Sequence, residues 1–220
     1  VLNSIREPPN WPGQNNAEIP PGQIKFIEAA ADQVVEISQA LTGRTFIRPT
    51  SLPRGGISIF SQTELSRAQA TWLVEAALRL AGVVVVPESD KFAFAVPPAL
   101  TNALPRFDRA AALAKAITSV APPELIRRED VDAQRLVNLY AFVTGRQPLP
   151  LATNLTALKF QASAETSLDQ AETIFLLEAL ARVNGAAFEL VGTNQFRLVT
   201  AANRTTPGAP LVTMAPPMRK

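Results

Sequence analysis

Glu165, Asp169 and Glu172 are the residues of this chain whose type and spacing suit acid/base chemistry or a calcium site. They fall where a long apolar-periodic stretch begins. Carboxylates at a helix start are favoured by the helix dipole and by capping alone, so capping is the expected role. Glu75 with Arg79, and Glu178 with Arg182, stand four apart in the order that favours an ion pair on a solvated helix face, worth about 0.3–0.5 kcal/mol each. Other chemistries lack their reagents. The chain has no His and no Cys, which removes the commonest general base, the commonest zinc ligand, the thiol nucleophile and any disulfide framework. Gly43, Gly145 and the pair Gly55-Gly56 lack the spacing of a phosphate-binding loop and are read as turn and helix-ending residues. Asn154-Leu155-Thr156 and Asn203-Arg204-Thr205 match the sugar-acceptor pattern, a three-residue signal that specifies little. The expectation is of a chain that is not an enzyme and holds no cofactor and no metal.

The architecture is organised around a stretch that occurs twice. Leu65 to Gly82 meets Leu168 to Gly185 at a shift of 103 positions, keeping Leu65 and Leu168, Ala68 and Ala171, Leu73 and Leu176, Glu75-Ala76 and Glu178-Ala179, Arg79 and Arg182, and the closing glycine. In each copy the apolar residues fall at helical spacing, so one stripe of each helix must be buried. Ser66 and Asp169 supply the N-terminal caps. Around these helices the same programme appears in both halves. In the first, Ile24 to Ile27 reads as a strand, Ala30 to Leu41 as a helix ended by Gly43, Thr45 to Arg48 and Ile57 to Phe60 as strands, Val83 to Val86 as a strand, and Phe92 to Val96 as its hairpin partner, with Phe92, Phe94 and Val96 on one face. In the second, Ile126 takes the place of Ile24, Leu136 to Val143 rebuild the first helix, Thr144-Gly145-Arg146 repeats Thr42-Gly43-Arg44, Leu158 to Phe160 match the strand Ile57 to Ile59, and Ala187 to Val191 with Phe196 to Val199 form the last hairpin. A helix is expected over Asp108 to Ser119, between Pro97-Pro98 and Pro122-Pro123.

These readings give an α+β fold of two tandem small domains, each running strand-helix-strand-strand-helix-strand-strand with two helices packed on small sheets. The expected boundaries are a Pro-rich tether at 1–22, a first domain at 23–97, a helical connector at 98–123, a second domain at 124–200 and a tail at 201–220, with each domain folding independently. An apolar share of 47% and a charged share of 18% are those of a folded protein, and the 19 prolines gather at the ends and between the copies. A net charge of +2 without a polybasic run argues against nucleic acid. No apolar run approaches the roughly 18 residues of a membrane span. The start at Val1 rather than Met suggests a piece of a longer product, and Trp11 is read as part of an unstructured tether.

The residues Leu41-Thr42-Gly43-Arg44, the run Thr45 to Pro49 continuing through Ser51 to Gly56 into Ile57-Ser58-Ile59, the helix from Leu65 to Leu80, and Gly82 to Pro87 with the closing strand Phe92 to Val96 resemble the first periplasmic N-domain of bacterial secretins. The same fold serves as the N-terminal signalling domain of TonB-dependent receptors. The family usually carries Asp before the proline of its turn; Arg48 stands there here. The second copy departs further, with Pro148 and Pro150 in its strand and no glycine in the turn. The resemblance implies a periplasmic protein–protein interaction module of a secretin-type export machine, of the type II secretion or type IV pilus kind, within an outer-membrane-associated assembly. Its partners would be an inner-membrane component or neighbouring subunits. The alternative is the signalling domain of a receptor, which is normally single. No ring-building repeats or membrane barrel follow within the sequence. The binding surface expected here is the sheet edge at Phe92, Phe94 and Val96, open to an added strand unless the connector helix covers it.

Overall fold

The computed structural model of the chain describes residues 18–120, 129–162 and 166–201, and there the repeated stretch is a repeated piece of structure. The first unit runs β1 (Glu18–Ile19), β2 (Lys25–Ala29), α1 (Ala31–Thr42), β3 (Thr45–Ile47), β4 (Ile57–Phe60), β5 (Leu65–Ser66), α2 (Arg67–Leu80), β6 (Val84–Pro87) and β7 (Phe92–Val96). A 3-10 turn and α3 (Arg109–Leu113) join it to the second, which runs β8 (Glu129–Asp132), α4 (Ala133–Thr144), β9 (Gln147–Pro148), β10 (Lys159–Ala162), α5 (Gln170–Val183), β11 (Ala186–Val191) and β12 (Gln195–Thr200). The α+β class and the repeated element order agree with the sequence reading.

Two small sheets recur in both units. A two-stranded antiparallel sheet pairs β2 with β4, and β8 with β10. A three-stranded sheet has the order β3-β7-β6 in the first unit and β9-β12-β11 in the second, its first pairing parallel and its second an antiparallel hairpin. The two-residue pairing of β1 with β5 was not expected from the sequence.

The helix ends follow from the residues placed there. Ser66 and Asp169 cap α2 and α5, each accepting the N–H three residues on, while Gln69 and Glu172 reach back to the cap's own N–H. α1 and α4 stop at Gly43 and Gly145, with φ of 68° and 71°, where the glycine N–H closes onto Gln39 and Ala141. The second long helix of each unit then covers the exposed carbonyls of the first. Arg67 donates to the carbonyls of Leu41 and Ala40, and Gln170, at the equivalent place, donates to that of Val143.

The expected connector helix is shorter than Asp108 to Ser119. Asp108 caps it as anticipated, but α3 ends at Leu113. The chain then turns so that the Ile117 N–H donates to the Thr144 carbonyl at 2.8 Å, giving up helix to close the end of α4.

The apolar core does not divide at this connector. One cluster lies inside the first unit and takes Phe46, Val74, Leu78, Ala93 and Ala95. The other, larger cluster spans both units, joining Ile47, Phe92, Phe94 and Val96 to α4, α5 and the second three-stranded sheet. Alternation along β7 explains the split, since successive residues point to opposite faces. Ala93 and Ala95 look into their own unit, and Phe92, Phe94 and Val96 look across to α5. That helix is sandwiched, with eleven of its fourteen residues buried, against three of fourteen in α2.

Candidate interaction surfaces

Chemistry-bearing side chains are held in structural work. Asp169 and Glu172 form the capping box of α5, and Glu172 meets Lys91 of the first unit at 2.8 Å. Arg109 of α3 adds a 2.6 Å pair to Asp169. Glu165 lies outside the described residues. Glu178 is not on a solvated face: Lys115 of the connector approaches it at 2.5 Å and the Tyr140 hydroxyl donates to it at 2.9 Å. Burial, reinforced by Glu178 beside it, pushes the Tyr140 hydroxyl well above its usual range, so Tyr140 stays a neutral donor. Its ring stacks on Phe188 with centroids 3.9 Å apart. In the first unit the equivalent Ser38 is buried and its hydroxyl has no hydrogen-bond partner among the described residues. There, burial raises the Glu75 carboxyl above its ordinary value, against the pull of Arg44 and Arg79. Arg48, where the resembling family has Asp, forms an ion pair with Asp32 in the first turn of α1. Among the described residues no group of three or more His, Cys, Asp or Glu could hold a metal ion. Among them, too, no helix is long and apolar enough to cross a membrane.

Phe92, Phe94 and Val96 are fully buried, and β7 is the central strand of its sheet, bonded to β3 on one side and β6 on the other. The edge expected to be open at these residues is therefore filled from within the unit, and their side chains are spent on α5. Phe92 and Phe94 meet Phe175 edge-on at 5.2 and 6.4 Å. The connector helix does not cover the β7 edge; it packs on α5.

Exposed apolar surface lies instead on the two-stranded sheet of the first unit. Ile27 and Phe60 are 74% and 56% exposed, and Lys25, Phe26, Ile27, Ser58, Ile59 and Phe60 line a shallow groove of about 390 Å³. Lys25 sits 5.8 Å above the Phe60 ring. An extra residue in β2 between Phe26 and Ala29 makes a bulge, with Glu28 at φ 51° and its N–H bonded to the Ser58 hydroxyl at 3.0 Å. Alternation from the buried Ile24 puts Lys25 and Ile27 on the outward face. The second unit pairs β8 with β10 in unbroken register and buries Val131 and Phe160. A second groove, about 410 Å³, runs beside β12, where β9 ends at Pro148 after two residues of pairing; Leu149, Asn154, Leu155, Arg197 and Thr200 are among its lining.

No protein-family model matches this chain, and no curated protein matches it. Among solved structures, the chain is similar to one described as "Structure of XcpQN012", at 26% identity over 39% of this chain and 38% of that one, with a TM-score of 0.33. The chain thus spans under two fifths of the structure it matches, and so loose a superposition assigns neither fold nor function. The exposed apolar sheet of the first unit has a sequence signal: Ile57-Ser58-Ile59-Phe60 has apolar residues on both faces of a two-stranded sheet that has only one core to pack on.

Proposed function

We propose that this chain is a non-enzymatic protein–protein interaction module acting in the periplasm within a secretin-type export assembly, its partner an inner-membrane component or a neighbouring subunit. The family part of this reading rests on the motif residues from Leu41 to Val96 set out above. The observation that carries the interaction reading is the exposed apolar outer face of β2 and β4, where Ile27 and Phe60 stand in solvent beside strand edges with unpaired backbone groups. A strand added there would pair its backbone with the edge and bury Ile27 and Phe60, the usual division between affinity and specificity in strand addition. Asp169, Glu172 and Glu178 are engaged in a cap and in ion pairs, which fits a binding role better than turnover.

Amide hydrogen exchange with and without the purified periplasmic part of an inner-membrane secretion component tests this. Slowed exchange along Lys25 to Ala29 and Ile57 to Phe60 is the expected outcome. A footprint elsewhere, or none, counts against it.

A further inference from the structure

β12 is paired along its whole length on one side only. On the β11 side the hairpin runs from Gln195 to Thr200. On the other side the Asn194 and Phe196 carbonyls accept from the Gln147 and Leu149 N–H at 2.9 and 2.8 Å, and there the parallel pairing with β9 ends. Backbone groups alternate between the two edges of a strand, so Leu198 and Thr200 aim their N–H and C=O at the side that β9 has left. Among the described residues no backbone group meets them. The first unit shows the completed arrangement. There β3 pairs with β7 for one residue more, and the register of Ile47 with Phe94 gives the Ala95 N–H to the Ile47 carbonyl. Leu149 stands at the place of Ile47 and Leu198 at that of Ala95, but the chain leaves the sheet at Pro150 for the 3-10 turn Thr153–Leu155. Leu198 is only 5% exposed, and backbone N–H groups buried to that degree are nearly always paired. The edge opens into the groove of about 410 Å³, whose apolar wall includes Leu149, Pro150 and Leu155. Arg197 is the charged residue of its lining. It gives Nε and Nη2 to Glu189, each at 2.8 Å, and its Nη1 makes no ion pair among the described residues.

We infer that this edge is a further peptide-binding site, where an extended segment of a partner protein adds to β12 beyond the end of β9. The unpaired groups recur every second residue, which is the repeat of one strand edge, and β9 already matches the first two positions of that series. The chemistry of the occupant follows. Its carbonyls accept from the Leu198 and Thr200 N–H, and one of its N–H groups donates to the Leu198 carbonyl. Its side chains alternate, apolar ones toward the groove wall and an acidic one outward beside Arg197. The site belongs to the second unit and does not depend on the β2–β4 surface of the proposed function.

The probe is a short blocked peptide alternating threonine and valine, with one glutamate among the threonines. Added to the isotope-labelled full chain, it should shift the Leu198 and Thr200 amide signals and slow their hydrogen exchange. Lysine in place of the glutamate should weaken binding, and N-methylation of alternate residues on the edge facing β12 should abolish it. Thr200→Pro removes one N–H of the site and leaves the ladder to β11 in place; it should weaken binding about fivefold, the worth of one hydrogen bond, with thermal unfolding unchanged. Leu198 and Thr200 signals that the peptide does not move, shifts confined to Lys25–Ala29 and Ile57–Phe60, or an N-methylated peptide that binds as well as the parent each overturn the inference. So does slow exchange of both amides in the dilute free chain, because the edge is then filled from within. Slow exchange that sets in only as the free chain is concentrated overturns it as well, because the occupant is then a second copy.

Discussion

β7 and β12 hold equivalent places in the two units and meet opposite surroundings. Phe92, Phe94 and Val96 of β7 correspond to Gln195, Arg197 and Val199 of β12, while the inward residues Ala93 and Ala95 correspond to Phe196 and Leu198. In the first unit the outer face is aromatic and seats on α5. In the second it is solvated, and Arg197 pairs with Glu189 at 2.8 Å. The two long helices differ in the complementary way, α5 being apolar nearly all round and α2 on one stripe. Duplication has kept the caps, glycine stops and hairpins that build each unit, and has changed the residues where one unit meets the other. The shared core follows from that change, with β7 presenting large side chains to the second unit and small ones to its own.

Exchanging the two strands' behaviour is the strongest way to break this comparison. Phe94→Ala should cost about 3–5 kcal/mol in denaturant unfolding, as for other buried aromatic truncations. Arg197→Ala, at the same place in β12, should cost about 0–1 kcal/mol, the range of a surface ion pair. Equal losses would mean that β7's outer face is not the junction.

The glycine stops sharpen the comparison at smaller scale. Both hold left-handed backbone, so Gly43→Ala should cost about 1–2 kcal/mol. A Cβ at Gly43 would meet nothing within 4 Å, whereas at Gly145 it would lie 2.3 Å from the Thr118 hydroxyl of the connector. Gly145→Ala should therefore lose more than Gly43→Ala by the same measurement, and the reverse order would show that the connector yields freely.

Smallest is a pH effect confined to the first unit. Burial holds the Glu75 carboxyl above its ordinary 4.5, partly offset by Arg44 and Arg79, so the native state binds this proton more tightly than the unfolded chain. Its contribution to stability is fully present below 4.5 and is lost as pH rises through the raised native value. Glu75→Gln should flatten that fall, seen as a smaller difference between urea midpoints at pH 4.5 and pH 7 than in the parent chain. An unchanged difference removes Glu75 as its source.

Much of each unit was legible because its signals are local. Apolar period, the caps at Ser66 and Asp169, the stops at Gly43 and Gly145, and the hairpin of Val83 to Val86 with Phe92 to Val96 each rest on residues within a few positions of what they control. What was missed depends on residues far apart in the chain. The parallel pairing of β3 with β7 makes β7 central, and no local pattern in Phe92 to Val96 reveals a neighbour at Thr45 to Ile47. The burial of Phe92, Phe94 and Val96 did leave a trace, in the contrast with Gln195 and Arg197 and in the unbroken run Ile174-Phe175-Leu176-Leu177 of α5. Reading the two copies against each other for differences, as well as for matches, finds the junction. Trp11 and Ile126 lie outside the described residues, and the first strand of the second unit is described from Glu129.

The central claim is that the two units are joined into one cooperative core through β7 and α5. Urea unfolding of the full chain, with pulse deuterium labelling at each concentration read by mass spectrometry, follows both units in one experiment. Peptides from α1 and α2, and peptides from β11 and β12, should lose protection at the same midpoint. Two separated midpoints, one for each unit, would contradict the claim and show the repeats to be independent domains in contact.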